Sequence, residues 1–289
     1  MLAAVDCYGR ATLAHLQRGG GEGEGGGGGR MRVAALEQLQ PEDVAVEAGW
    51  AGVALAPGNP SQAAVARHFA KDVSIFDGPL VVRTLHTLHR PNAVALLSPA
   101  LAASPGGSGV VAVAEGPAVS VWDLRASGRG ARVARLNAGN AAGPLYCLAA
   151  SDGTGAPLLG AAGADRSVLV WDPRKWATVD RWSNCLKYEA TAVHFLAGNP
   201  QYCVACGLDY EVVAGRWGGD RRARLGGGHR TGEGGGEGSG DGGGGGGGHL
   251  SFRGDSRWLG MGRAQGQDVL AGLTSSAQLY VAELGPQAG

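Results

Sequence analysis

Leu158–Arg174 reads LLGAAGADRSVLVWDPR: an apolar run, a tight turn, and an alternating apolar strand closed by Trp171-Asp172. Leu158 and Leu159 open one strand, and Gly163-Ala164-Asp165-Arg166 supplies turn residues. Val168, Val170 and Asp172 alternate with Leu169 and Trp171, the period of two expected of a strand. A lone hairpin cannot bury its own apolar face and requires neighbours. The chain holds copies of it. Trp122-Asp123 closes GPAVSVWD and Phe76-Asp77 closes KDVSIFD; Trp171 follows Trp122 by 49 residues, and Trp122 follows Phe76 by 46. A self-similar period of about 40–50 residues, with room for four short strands, predicts an all-β propeller of four-stranded antiparallel blades.

On Trp122-Asp123, Trp171-Asp172 and the turn residue Asp165, the chain resembles the WD-repeat family of β-propellers. The resemblance implies a scaffold for binding protein partners. It also implies a buried network of the strand Trp, the turn Asp, a Ser or Thr, and a His ahead of the blade's first strand. A buried indole N–H and a buried carboxylate each need a partner. By position Trp171 and Asp165 match, Asp209 matches by its turn, and His89 stands ahead of Asn92–Leu97. His229 and His249 each follow a glycine, and either could be the histidine of the last repeat.

Carried along the chain, the frame marks about six repeats. The first is residues 1–16, two strands about the turn Cys7-Tyr8-Gly9-Arg10. The second resumes at Met31 and ends at Phe76-Asp77; the third runs Leu80–Asp123, the fourth Arg132–Asp172 and the fifth Thr178–Trp217. The fifth closing position is open. Trp217 lies 46 residues past Trp171, whereas counting from Asp209, as Asp165 precedes Trp171, lands on Gly215. The sixth repeat takes Arg221–Leu225, Leu250–Arg253, Val269–Leu273 and Gln278–Glu283, with Ser256–Arg263 as an irregular or extra strand. Five repeats with four strands and one with two predict a propeller that is incomplete or irregularly closed. Residues 1–289 are read as one domain. Two glycine-rich tracts with scattered acids, 19–29 and 226–248, hold too little apolar surface to offset their ordering entropy and are read as disordered insertions. Each is placed after a repeat's outer strand.

Apolar residues make up 44% of the chain, enough for a core, although glycine and alanine inflate that share. With 25 basic and 25 acidic residues the net charge is zero, which gives no global case for nucleic acid or an anionic membrane. Arg129, Arg132 and Arg135 form a local basic cluster, read as a solvated strand face. Five cysteines are too few and too scattered for a disulfide framework, and no leader segment or spanning run is apparent. These features together predict an intracellular protein, cytoplasmic or nuclear.

The sharpest functional hint follows each Trp-Asp. Trp122-Asp123-Leu124-Arg125 and Trp171-Asp172-Pro173-Arg174 are both Trp-Asp-x-Arg. In consecutive repeats this resembles the paired box of propellers that act as substrate receptors of cullin–RING ubiquitin ligases, and the resemblance implies that Arg125 and Arg174 reach an adaptor propeller. Arginine suits that role because its planar fork binds carboxylates or carbonyls bidentately. Cys203 and Cys206 have metal-like spacing, but on a strand residues three apart face opposite sides. Arg253-Gly254-Asp255 matches the integrin tripeptide by chance. No nucleophile elbow, carboxylate pair, metal set or cofactor loop stands out, so the expectation is a non-catalytic scaffold without metal or cofactor. A propeller-fold enzyme, with polar residues converging on the central channel, is the remaining alternative.

Overall fold

The computed structural model describes residues 1–18, 31–43, 47–49, 51–97, 109–139, 143–151, 157–218 and 250–284. Among them, 22 strands form six small antiparallel sheets arranged as a six-bladed β-propeller. Blade one holds β1 (Leu2–Val5), β2 (Ala11–Arg18) and β3 (Met31–Leu39). Blade two holds β4 (Ala51–Ala56), β5 (Asn59–Arg67), β6 (Asp72–Asp77) and β7 (Leu80–His86). Blade three holds β8 (Pro91–Leu97), β9 (Val110–Glu115), β10 (Ala118–Asp123) and β11 (Arg132–Asn137). Blade four holds β12 (Leu145–Ala150), β13 (Leu159–Gly163), β14 (Val168–Asp172) and β15 (Ala177–Trp182). Blade five holds β16 (Ala190–Phe195), β17 (Tyr202–Gly207), β18 (Glu211–Arg216) and β19 (Leu250–Arg253). Blade six holds β20 (Trp258–Arg263), β21 (Val269–Thr274) and β22 (Leu279–Glu283).

The middle strands of the inner blades are buried on both faces, which is why they read as near-continuous apolar runs. Every residue of β9 is buried, as is every residue of β10 except the terminal Asp123. Five buried clusters lie between successive blades. The one joining blades three and four brings Leu97, Ala112 and Val121 against Leu145, Leu159 and Trp171. Burying each Val or Leu side chain contributes about 1.5–3 kcal/mol. The approach is tightest where the first strand of a blade meets the end of the second. A Cβ on Gly207 would lie 2.5 Å from the Glu189 carbonyl oxygen, and one on Gly163 would clash harder with Pro144.

The strand pairing moves several sequence boundaries by one strand. Leu80–His86, Arg132–Asn137 and Ala177–Trp182, which open the third to fifth sequence repeats, pair as the outer strands of the preceding blades. Leu250–Arg253 likewise pairs with β18 and completes blade five. Trp258–Arg263, read as irregular, is the first strand of blade six. Both glycine tracts therefore fall between a blade's third and outer strands, not after the outer strand. The tracts themselves, Arg221–Leu225, His229 and His249 lie outside the described residues.

Among the described residues, four blades have four strands and two have three, in place of five with four and one with two. Hydrogen bonds identify the positions that the described strands of each short blade occupy. At the entry to blade six, Trp258 N–H donates to the carbonyl of Asp209, in the turn between the second and third strands of blade five. At the entry to blade two, Ala48 N–H donates in the same way to Cys7, in the turn between β1 and β2. The strands of blade one are therefore second, third and outer, whereas those of blade six are first, second and third. On blade six, β21 and β22 alternate between covered and exposed residues, in contrast to their fully buried counterparts. Leu279 is 68% exposed and Val281 67% exposed, and among the described residues no buried cluster covers that face.

The packing makes a differential prediction. Leu159→Ala, within the blade three–four cluster, will cost about 2–5 kcal/mol in urea unfolding, whereas Leu279→Ala will change stability by less than about 0.5 kcal/mol. Equal costs would contradict the assigned faces.

Candidate functional site

Antiparallel order places the first-to-second and third-to-outer connections of every blade on one side of the ring. Both Trp-Asp-x-Arg boxes lie there, in the connections β10–β11 and β14–β15.

The boxes share one geometry. Arg125 donates its backbone N–H and Nε to Asp123 Oδ1 at 2.9 Å each, and Nη2 to Oδ2 at 2.7 Å. Arg174 repeats the set on Asp172 at 2.9, 3.0 and 2.8 Å. Each aspartate carbonyl also accepts from the residue three on, Ala126 or Lys175, closing a tight turn. Hydrogen bonds from the arginine side chain hold both carboxyls below their ordinary value of 3.8. About half of each arginine side chain remains exposed, so the pairs orient the guanidinium more than they stabilise the chain.

The signature aromatics are structurally equivalent. Phe76, Trp122 and Trp171 each follow a bulge in the pairing with the outer strand, and all three are buried. Asp77 occupies the matching aspartate position and accepts from Ser61 Oγ at 3.0 Å. The bonds around them depart from the network implied by the resemblance. Asp165 accepts from Ser167 N–H at 3.1 Å and from Arg181 Nη2 at 2.5 Å, tying its turn to β15 and not to Trp171. Trp122 donates Nε1 to Ser120, two residues back on its own strand, at 2.9 Å. Asp209 caps Glu211 N–H at 2.9 Å. His89 enters through its backbone N–H, which donates to the fully buried Glu115 at 2.8 Å.

The open register of blade five is settled by pairing. Gly215 faces Cys203 and stands where Trp122 stands against Val111. Trp217 lies two residues on, so it projects to the same side of the strand. It packs into the blade four–five cluster, and its Nε1 donates to the Pro200 carbonyl at 2.7 Å. There it lines a groove of about 510 Å³ between blades four and five, together with Leu158, Val179, Pro200, Asp172 and Arg174. Sequence reasoning selected Arg174 but missed Pro200 and Val179, because they come from an adjoining turn and an outer strand that no motif marks.

Other sequence candidates resolve into structure. Cys203 packs toward blade four and Cys206 toward blade six, on opposite faces of β17. Burial pushes the Cys206 thiol up to about 11. Asp255 accepts from Thr274 Oγ1 at 2.9 Å and from Ser276 Oγ, so the carboxylate of the Arg253-Gly254-Asp255 stretch is engaged by blade six. Among the described residues, no group of three or more His, Cys, Asp or Glu side chains is placed to hold a metal ion. No helix is long and apolar enough to cross a membrane there.

The fold and this ring face define a six-bladed β-propeller with a groove at one blade junction. Comparison of the chain with protein-family models and with curated proteins returns no match.

The paired geometry predicts a titration. In Arg174→Ala, the Asp172 carboxyl will rise toward its ordinary value, as read by carbon-detected NMR across an acid titration. Because the native values are lowered, any stability from the boxes is present above the ordinary carboxylate value and lost as pH falls through the lowered one. An unmoved Asp172 would show that the pair does not form in solution.

Proposed function

We propose that this chain is a non-catalytic protein-interaction scaffold of the WD-repeat type. The supporting observation is the groove between blades four and five, where an apolar lining that includes Trp217 adjoins a guanidinium held in place by Asp172. An aromatic lining with an oriented arginine is the composition found at protein-binding hot spots. A rigid ring also suits binding, because its connections vary without disturbing its packing. The five free thiols support residence in a reducing compartment, cytoplasmic or nuclear.

A more specific reading is a substrate receptor of a cullin–RING ubiquitin ligase. It is favoured by the identical seating of Arg125 and Arg174 on the same ring face of adjacent blades. In Arg174 the Nε–Nη2 edge is taken by Asp172, which leaves the Nη1 edge for a partner's carbonyl or carboxylate.

Affinity purification from cells, comparing the native chain with Arg125→Ala/Arg174→Ala and with Trp217→Ala, tests both readings. The receptor reading expects a cullin-ligase adaptor that is lost with the double variant. Partners that depend on Trp217, without an adaptor, would retain the scaffold and remove the receptor. No partner sensitive to either variant would remove both.

A further inference from the structure

We propose that a second groove, between blades two and three, docks an extended acidic peptide segment on Arg83 and Arg132 around the indole of Trp122. In the sequence, Arg132 and Arg135 look like a solvated strand face, and Arg83 lies about 50 residues upstream with no motif to mark it. The fold brings them together. Arg83 and Leu85 pair with Ile75 and Val73, whose side chains belong to the buried cluster that contains Trp122. Residues paired across antiparallel strands share a face, so Arg83 and Leu85 turn toward blade three. From the other side, Arg132 pairs with Trp122 and Arg135 with Ser120. The resulting groove encloses about 580 Å³, with Arg83, Leu85 and His86 on one wall and Trp122, Gly128 and Arg132 on the other.

Three features fit an acidic peptide. Among the described residues, the lining contains no carboxylate. The nearest acid in the sequence, Asp123, is bonded to Arg125, and the Arg83 charge also acts on its carboxylate. The cations are also held in place. Arg132 lies over the Trp122 ring at 5.8 Å from its centroid, and Arg83 Nη1 donates to the Leu124 carbonyl at 2.5 Å. An ordered guanidinium loses less freedom on meeting a carboxylate than a mobile one. The Trp122 indole, 9% exposed, lines the groove together with both arginines. Moreover, β7 ends its sheet, so its outer backbone groups are open to an extended chain. A nucleic acid fits less well. It would need a continuous basic stripe, whereas Asp72, Asp77 and Asp123 end the adjoining strands and the whole chain is neutral.

This site extends the scaffold reading but uses residues that the cellular test leaves intact, so either can fail alone. The test is fluorescence anisotropy on the full chain with a short labelled peptide of alternating glutamate and valine. Its lysine counterpart and a single-stranded RNA oligonucleotide serve as parallel probes. We expect saturable binding of the glutamate peptide, weakening as salt is raised, and no binding of the lysine peptide. Arg83→Glu/Arg132→Glu should weaken binding at least about tenfold, because like charges then face each other. Arg132→Glu alone, at an exposed position, should weaken it severalfold and remains informative if the double variant fails to fold. Arg253→Glu on β19 should leave binding within about twofold and controls for net charge. Absence of glutamate-peptide binding, equal binding of the lysine peptide, preference for RNA, or unchanged binding in Arg132→Glu would each overturn the proposal.

Discussion

The structure depends on mutual burial of sheet faces. Each blade buries an apolar face against the next in five successive clusters, from blade one to blade six. The constraint is visible residue by residue. Val119, Val121 and Leu136 of blade three turn one way, into the cluster shared with blade four. Val111, Val113 and Trp122 turn the other way, into the cluster shared with blade two. Where a neighbour is lacking among the described residues, as on the outer face of blade six, the same kinds of side chain stand in solvent. Stability in such an array is close to a sum of blade and junction contributions.

That constraint also confines variation and function. A junction residue cannot change size without opening a cavity or overpacking, so the connections at the ends of the strands carry what differs between blades. On one side of the ring those connections hold Arg125 and Arg174. The arginines are ordered by their own aspartates, and the groove beside Arg174 is completed by residues of the next blade. Grooves therefore arise at blade junctions, where two sheets that pack closely inside diverge toward solvent.

Sequence and structure agree wherever a local signal decides the outcome. The apolar alternation of Val168–Asp172, the Gly-Ala-Asp-Arg turn and the equivalence of Phe76, Trp122 and Trp171 depend on a few consecutive residues, and all are legible in the chain. Disagreement begins where pairing is non-local. Trp258–Arg263, with two glycines, has weak strand character, and its place as a first strand comes from pairing with β21 and packing on blade five. Leu250–Arg253 is separated from its partner β18 by a long insertion, so spacing gives no guide to its sheet. The implied Trp–Asp network fails for the same reason: Asp165 finds Arg181 on a neighbouring strand, a contact that no motif encodes.

By itself, then, the sequence determined the strand period, the repeat and the all-β propeller class, because hydrophobic alternation and turn chemistry are short-range properties. Only the tertiary structure decided which strands share a sheet, that Gly215 and not Trp217 occupies the aromatic position, and that Arg83 meets Arg132 across a blade junction. Those outcomes rest on which faces find partners to bury, and burial is settled between segments that are distant in the chain.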